Sequence, residues 1–112
     1  MILLDPQRWV GKEFPLFSRF AEPTGFEALR QGTWSVLLVQ SGCPTCAKKM
    51  AELEKEKPEN VAIVVISSSA GRIASPSLPV FWLDKQNAWS AVTPCMIELS
   101  DGICVNVAAY VH

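Results

Sequence analysis

Val36-Leu37-Leu38-Val39-Gln40-Ser41-Gly42-Cys43-Pro44-Thr45-Cys46-Ala47-Lys48-Lys49-Met50 changes its hydrophobic period at a pair of cysteines. The run before them is short and continuously apolar, as a buried strand is. After them the pattern is helical: Cys46, Met50 and Leu53 share one face, and Lys48, Lys49, Glu52, Lys55 and Glu56 lie mostly off it. The C-x-x-C therefore stands where a strand becomes a helix. A helix start carries unpaired N–H groups and partial positive charge, and both favour a thiolate, so Cys43 is expected to ionise easily. Pro44 suits the first helical position, where its missing N–H removes no bond. Cys46, one turn in on the same side, is within reach of a disulfide to Cys43. A zinc site would need a second Cys/His pair at ligand spacing. Cys95 and Cys104 are nine apart and His112 is the single histidine, so no metal is assigned. The pair reads as a dithiol/disulfide redox site needing no cofactor.

The rest of the composition narrows the field. At 112 residues the chain is long enough for one domain with its own core, 1–112, with residues 1–23 as an N-terminal extension packing on it. The formal net charge of −1 comes without a basic patch, which argues against nucleic acid and against an anionic membrane surface. No apolar run is long enough to span a membrane, and Asp5, Pro6 and Arg8 interrupt the N-terminus too early for a signal-peptide core.

Taken in order, residues 1–20 set apolar anchors (Leu3, Leu4, Trp9, Val10, Phe14, Leu16, Phe17, Phe20) among Pro6, Gly11 and Pro15, so an irregular segment or short edge strands are expected on the core. Thr24 and Glu27 form a capping box before a short helix, Gly25–Gln31, that buries Phe26 and Leu29 and stops at Gly32. A strand over Trp34–Gln40 leads into a helix from Pro44 to Lys57, which Pro58 ends. Val61–Ile66 is apolar on both faces and β-branched, a strand between two layers. Strand, helix and strand make a parallel βαβ unit. Ser67–Pro79 reads as a loop with at most a turn near Ala70–Ala74. Val80–Leu83 is extended, and Asp84 caps a brief helix, Lys85–Ala91. Cys95–Leu99 and Ile103–Tyr110 form a hairpin about Ser100-Asp101-Gly102. Pro94 belongs at the first residue of its strand. A cis peptide before it would bring Thr93 beside Cys43, though an ordinary trans bond is the commoner state.

Trp34–Leu53, Thr93-Pro94 and the hairpin after them resemble the thioredoxin superfamily, in particular its extracytoplasmic TlpA/ResA-like branch, with some likeness to MauD-type accessory proteins. Val10-Gly11-Lys12-Glu13-Phe14-Pro15-Leu16-Phe17 is similar to that branch's G-K-x-x-P-x-F lead-in, and Pro79–Asp84 with Ala88-Trp89 to its P-V-x-x-D … A-Y segment. The resemblance covers most of the chain; its specific residues are Cys43, Cys46 and Pro94. It implies an α/β thioredoxin-like fold with a central mixed sheet of four or five strands flanked by helices. It implies thiol–disulfide exchange with protein thiol/disulfide substrates, Cys43 attacking and Cys46 resolving. It also implies a cis bond at Pro94, docking of substrate backbone on Thr93 with Gly42, Pro44, Thr45 and Pro94 around it, and an extracytoplasmic location, with a cytoplasmic one as the alternative.

The departures are as informative. Ser41-Gly42 stand where a tryptophan commonly precedes the first cysteine. Leu37 stands where many thioredoxins carry a buried acid, which leaves Glu98 as a distant carboxylate for Cys46. The third helix is reduced and the C-terminal helix is absent, so the hairpin residues Met96, Ile97, Leu99, Val105 and Val107 are expected to be under-covered. The N-terminal segment folding over them, a homodimer through the hairpin, or a missing segment would each account for that. In a plain hairpin Cys95 faces Val107 or Ala108. At roughly 3.4 Å per residue it then lies more than about 10 Å from Cys104, beyond disulfide reach. Cys104 reads as a small buried hydrophobe. Cys95 reads as a packed thiol or, more sharply, as an auxiliary thiol that tunes or pairs with Cys46. Trp34, Trp82 and Trp89 read as packing before a substrate groove, and Lys48 and Lys49 as a solvated face. Two alternatives to the enzyme remain: a non-catalytic interaction domain on the same fold, and a metal-binding or metallochaperone domain using Cys43, Cys46 and Cys95.

Overall fold

A five-stranded mixed sheet forms the centre of the molecule, with strand order β4-β3-β2-β6-β7. The computed structural model describes residues 2–20, 27–40, 44–56, 59–66, 78–83, 89–91 and 93–109. The elements are β1 (Ile2–Leu3), β2 (Thr33–Val39), α1 (Pro44–Glu56), β3 (Val61–Val65), β4 (Val80–Trp82), β5 (Trp89–Ser90), β6 (Cys95–Ser100) and β7 (Ile103–Ala109), with 3-10 turns at Pro6–Trp9, Pro15–Arg19 and Glu27–Arg30. β2, β3 and β4 are parallel to one another, β6 runs antiparallel to β2, and β7 runs antiparallel to β6. The βαβ unit is therefore β2–α1–β3. No helix among the described residues is long and apolar enough to cross a membrane.

Alternation along the strands divides the interior into two cores. Val36 and Leu38 of β2, Ala62 and Val64 of β3, and Cys95, Ile97 and Leu99 of β6 pack with Phe14, Leu16, Phe17, Phe20 and Leu29. Leu37, Val39, Ile63 and Val65 face the other way, onto Cys46 and Leu53 of α1. A period of two in the strands meets a period of 3.6 in the helix, so one side is closed by an amphipathic helix. The N-terminal segment closes the other. Its backbone is laced to β7: Gly11 N–H donates to Cys104 O at 2.7 Å, Cys104 N–H to Lys12 O at 2.9 Å, and Phe14 N–H to Gly102 O at 2.9 Å. Its rings stack in series. Phe14 meets Trp9 and Phe17 edge-on, Phe17 meets Phe20 edge-on, and Phe20 lies parallel to Phe81.

That cover corrects the expected apolar patch on the hairpin. Ile97 and Leu99 are fully buried beneath the N-terminal segment, and Met96 and Val107 are half-buried. On the other face of β6 and β7 the exposed positions are Glu98, Ser100, Asn106 and Ala108. Polar side chains therefore meet solvent where a helix is not packed, with Ile103 and Val105 as exposed apolar exceptions; Val10 of the N-terminal segment, an expected anchor, is exposed as well because it lies outside the ring series.

Three local expectations also change. The helix at Gly25–Gln31 is a 3-10 turn over Glu27–Arg30, in which Gln31 N–H donates to Ala28 O at 3.2 Å. Gly32 stops it at φ +74°, a conformation glycine adopts without strain; Thr24, Gly25 and Phe26 lie outside the described residues. Trp89 and Ser90, the penultimate turn of the expected Lys85–Ala91 helix, are instead a strand parallel to Ile2–Leu3, because a tertiary partner outweighs a weak local cap; 84–88 lie outside the described residues, as do 67–77 of the expected loop. Finally, β6 and β7 carry a bulge at Glu98/Leu99, so Cys95 faces Ala109 rather than Val107 or Ala108. The unpaired extra residue is Val105, and one extra residue advances every later partner by one. The turn itself is as expected: Asp101 at φ +49° and Gly102 at φ +83° make the mirror-type hairpin turn.

Candidate functional site

The candidate site gathers at the C-terminal end of β2. This strand leaves the sheet at Val39, and α1 begins at Pro44; Ser41, Gly42 and Cys43 lie outside the described residues. Pro44 occupies the first helical position, exposed, with Thr45 half-buried beside it. Cys46 follows at 1% exposure, enclosed by the core that contains Leu37, Val39, Met50 and Trp82. The helical stripe read from the sequence is thus the packed one: Cys46 and Leu53 are buried, Met50 is half-buried, and Lys48 is exposed. Lys49 is half-buried and reaches Glu52 at 3.7 Å.

The second half of the site comes from the far end of the chain. Leu38 is registered against Cys95, so the residues preceding Cys95 run beside the end of β2, toward the start of α1. Those residues are Thr93 and Pro94, both buried, and the peptide bond between them is cis. Gln40, one residue past β2, ties the same segment down: its side-chain amide donates to Ala91 O at 3.3 Å. On its other side the segment continues back into β5, which pairs with β1. The sequence reading gave Gln40 only the end of a strand. Its signal was a lone amide closing an apolar run immediately before the cysteines.

Other candidates are separated rather than assembled. Cys95 belongs to the core under the N-terminal segment and Cys46 to the core under α1. The two thiols lie on opposite sides of the sheet, and Cys95 sits as a packed thiol in its own core, the plainer of the two readings expected of it. Burial pushes the Cys95 and Cys104 thiols up to about 11, so both stay protonated and inert at neutral pH. Leu37 is fully buried in the Cys46 core, which makes the surroundings of that thiol apolar. Glu98 is exposed and registered against Ser35, outside that core. The tryptophans do not ring one groove: Trp34 and Trp89 pack on the N-terminal side and Trp82 on the helix side.

No family model matches the sequence, and no curated protein does. Among solved structures, the crystal structure of the N-terminal domain of PilB from Neisseria gonorrhoeae matches with a TM-score of 0.60 at 13% identity, covering 85% of this chain and 80% of that one. That domain has a thioredoxin-like fold. The fold of this chain is likewise thioredoxin-like: an α/β structure with a mixed five-strand sheet and one main helix among the described residues.

Proposed function

We propose that this chain is a thiol–disulfide oxidoreductase acting on protein substrates through Cys43 and Cys46, of the TlpA/ResA-like kind its motifs resemble. The observation that carries the reading is a convergence. Cys46 is buried in the first turn of the helix that follows the central strand, and the cis Thr93–Pro94 peptide stands at the same end of that strand. Residues about half the chain apart are brought to one place, as a dithiol and its docking edge require.

In the reducing direction the Cys43 thiolate attacks one sulfur of a substrate disulfide. A Cys43–substrate disulfide forms, and the other substrate sulfur leaves as a thiolate. Cys46, deprotonated, then attacks the Cys43 sulfur. The Cys43–Cys46 disulfide forms and the second substrate thiolate leaves. Two electrons pass to the substrate, whose two thiolates take up the two protons that the dithiol gave to solvent. An external dithiol returns the pair to its reduced form. Gly42, Pro44, Thr45, Thr93 and Pro94 form the docking surface, with substrate backbone against Thr93.

Insulin reduction driven by dithiothreitol tests the reading. Turnover above the uncatalysed rate that disappears in Cys43→Ser is expected, with a trapped mixed disulfide in Cys46→Ser seen by mass spectrometry. Turnover equal in wild type and Cys43→Ser sinks the enzyme reading. One observation favours a second reading, a non-catalytic interaction domain: Leu37, at the strand position where the resemblance places a buried acid, is an apolar side chain packed in the Cys46 core. A folded protein without any Cys43-dependent turnover would support that reading.

A further inference from the structure

Gln40 has no part in the exchange chemistry, yet it joins the two halves of the site. It is the first residue after β2, on the chain that leads to Cys43, and its amide reaches across 51 residues of sequence to Ala91 O at 3.3 Å. Ala91 stands two residues before Thr93. The bond is part-buried, where solvent competes less for the amide. The same short segment is held on its upstream side by the β1–β5 pairing, Ile2 with Trp89 and Leu3 with Ser90, and downstream by the Leu38–Cys95 register. Between those two anchors the Gln40 side chain holds the connecting backbone at Ala91.

We propose that Gln40 is a positioning residue: its N–H donor fixes the backbone that precedes the docking edge, and so sets affinity for a protein disulfide without altering the dithiol. The proposal rests on the exchange reading above. Its chemical content is the donor itself. Gln40→Met keeps the length and neutrality and loses the N–H, and Gln40→Lys restores an N–H donor of similar reach.

The test is steady-state reduction of fluorescently labelled insulin by the full chain, together with the pH dependence of Cys43 alkylation by iodoacetamide. In Gln40→Met, KM is expected to rise about three- to ten-fold, the range for one lost hydrogen bond, with kcat changed less than about two-fold. The Cys43 alkylation midpoint of this neutral variant is expected to stay in place, and Gln40→Lys to return KM most of the way. A Gln40→Met variant with wild-type KM overturns the proposal. So does a Gln40→Lys variant no better than Gln40→Met, or an alkylation midpoint that moves in Gln40→Met, since either makes the effect something other than placement of the docking segment. If wild-type protein has no Cys43-dependent turnover, the exchange reading fails and this proposal with it; normal turnover with an indifferent Gln40 defeats this proposal alone.

Discussion

The two faces of the sheet are closed by different means. On one side a 13-residue helix, Pro44–Glu56, lays a regular stripe over Leu37, Val39, Ile63 and Val65. On the other, a segment with two 3-10 turns and no long element covers Val36, Leu38, Val64 and Ile97 with a series of rings. The first face is local, since its strand, helix and strand are consecutive. The second joins residues near position 14 to residues near position 100. Chemistry follows the division: the face built by the helix holds Cys46, and the face built by the rings holds two inert thiols, Cys95 and Cys104. Cys46, at the start of the only long helix among the described residues, is placed by secondary structure, whereas the other face supplies mainly bulk.

Phe14 tests that contrast most severely. It is 1% exposed and touches Trp9 and Phe17 edge-on. Phe14→Ala is expected to cost about 3–5 kcal/mol in urea unfolding, near the whole stability of a small domain. Adjacent leucines of β2 sharpen the comparison. Leu37→Ala and Leu38→Ala each remove a fully buried side chain, at about 2–5 kcal/mol. Combined with Phe14→Ala, Leu38→Ala should couple by about 0.5–3 kcal/mol because the two share a core, and Leu37→Ala should add independently. Equal coupling for both leucines would show one continuous core in place of two.

A pH effect of similar scale belongs to the ring-built face. Cys95 and Cys104 are raised from 9.0 to about 11 by burial. Folding therefore favours the protonated thiols. Their contribution is fully present below pH 9 and is lost as pH rises from about 9 to about 11, by up to roughly 3 kcal/mol per thiol. Urea unfolding across pH 8–11 should show this decline, and Cys95→Ala/Cys104→Ala should flatten it. The smallest effect is expected at the surface of the same face. Arg30 bridges to Glu13 at 3.4 Å and lies over the Phe17 ring at 4.5 Å. Glu13→Gln removes only the exposed ion pair and should change stability by less than about 0.5 kcal/mol.

Legibility in the sequence tracks the same division. β2, α1 and β3 were readable because their periods are regular and their partners adjacent; Val61–Val65 is buried at every position, as its composition implies. Residues 2–20 were readable as irregular cover, but nothing local indicates that they lie on the hairpin. The Cys95 register escaped because a bulge leaves no mark in composition: Val105 looks like any strand valine. Trp89-Ser90 escaped because its partner, Ile2–Leu3, is at the opposite end of the chain. At the candidate site, Cys46 and Thr93-Pro94 were singled out by motif, whereas Gln40 makes a contact 51 residues away, which no spacing rule anticipates.

The lacing of Gly11, Lys12 and Phe14 onto the start of β7 has a consequence for colloidal behaviour. β7 is an outer strand, Ile103-Cys104-Val105-Asn106-Val107-Ala108-Ala109, with no charge and no proline along it. Such a strand is a template for adding another molecule, and its composition suits intermolecular stacking. The backbone bonds to Cys104 occupy part of that template from within the same chain. A protease that nicked the chain between Phe20 and Glu27 and released the leading segment would therefore do more than uncover Ile97 and Leu99. It would turn an outer strand into a sticky end, and the clipped protein should precipitate at concentrations where the intact chain stays in solution.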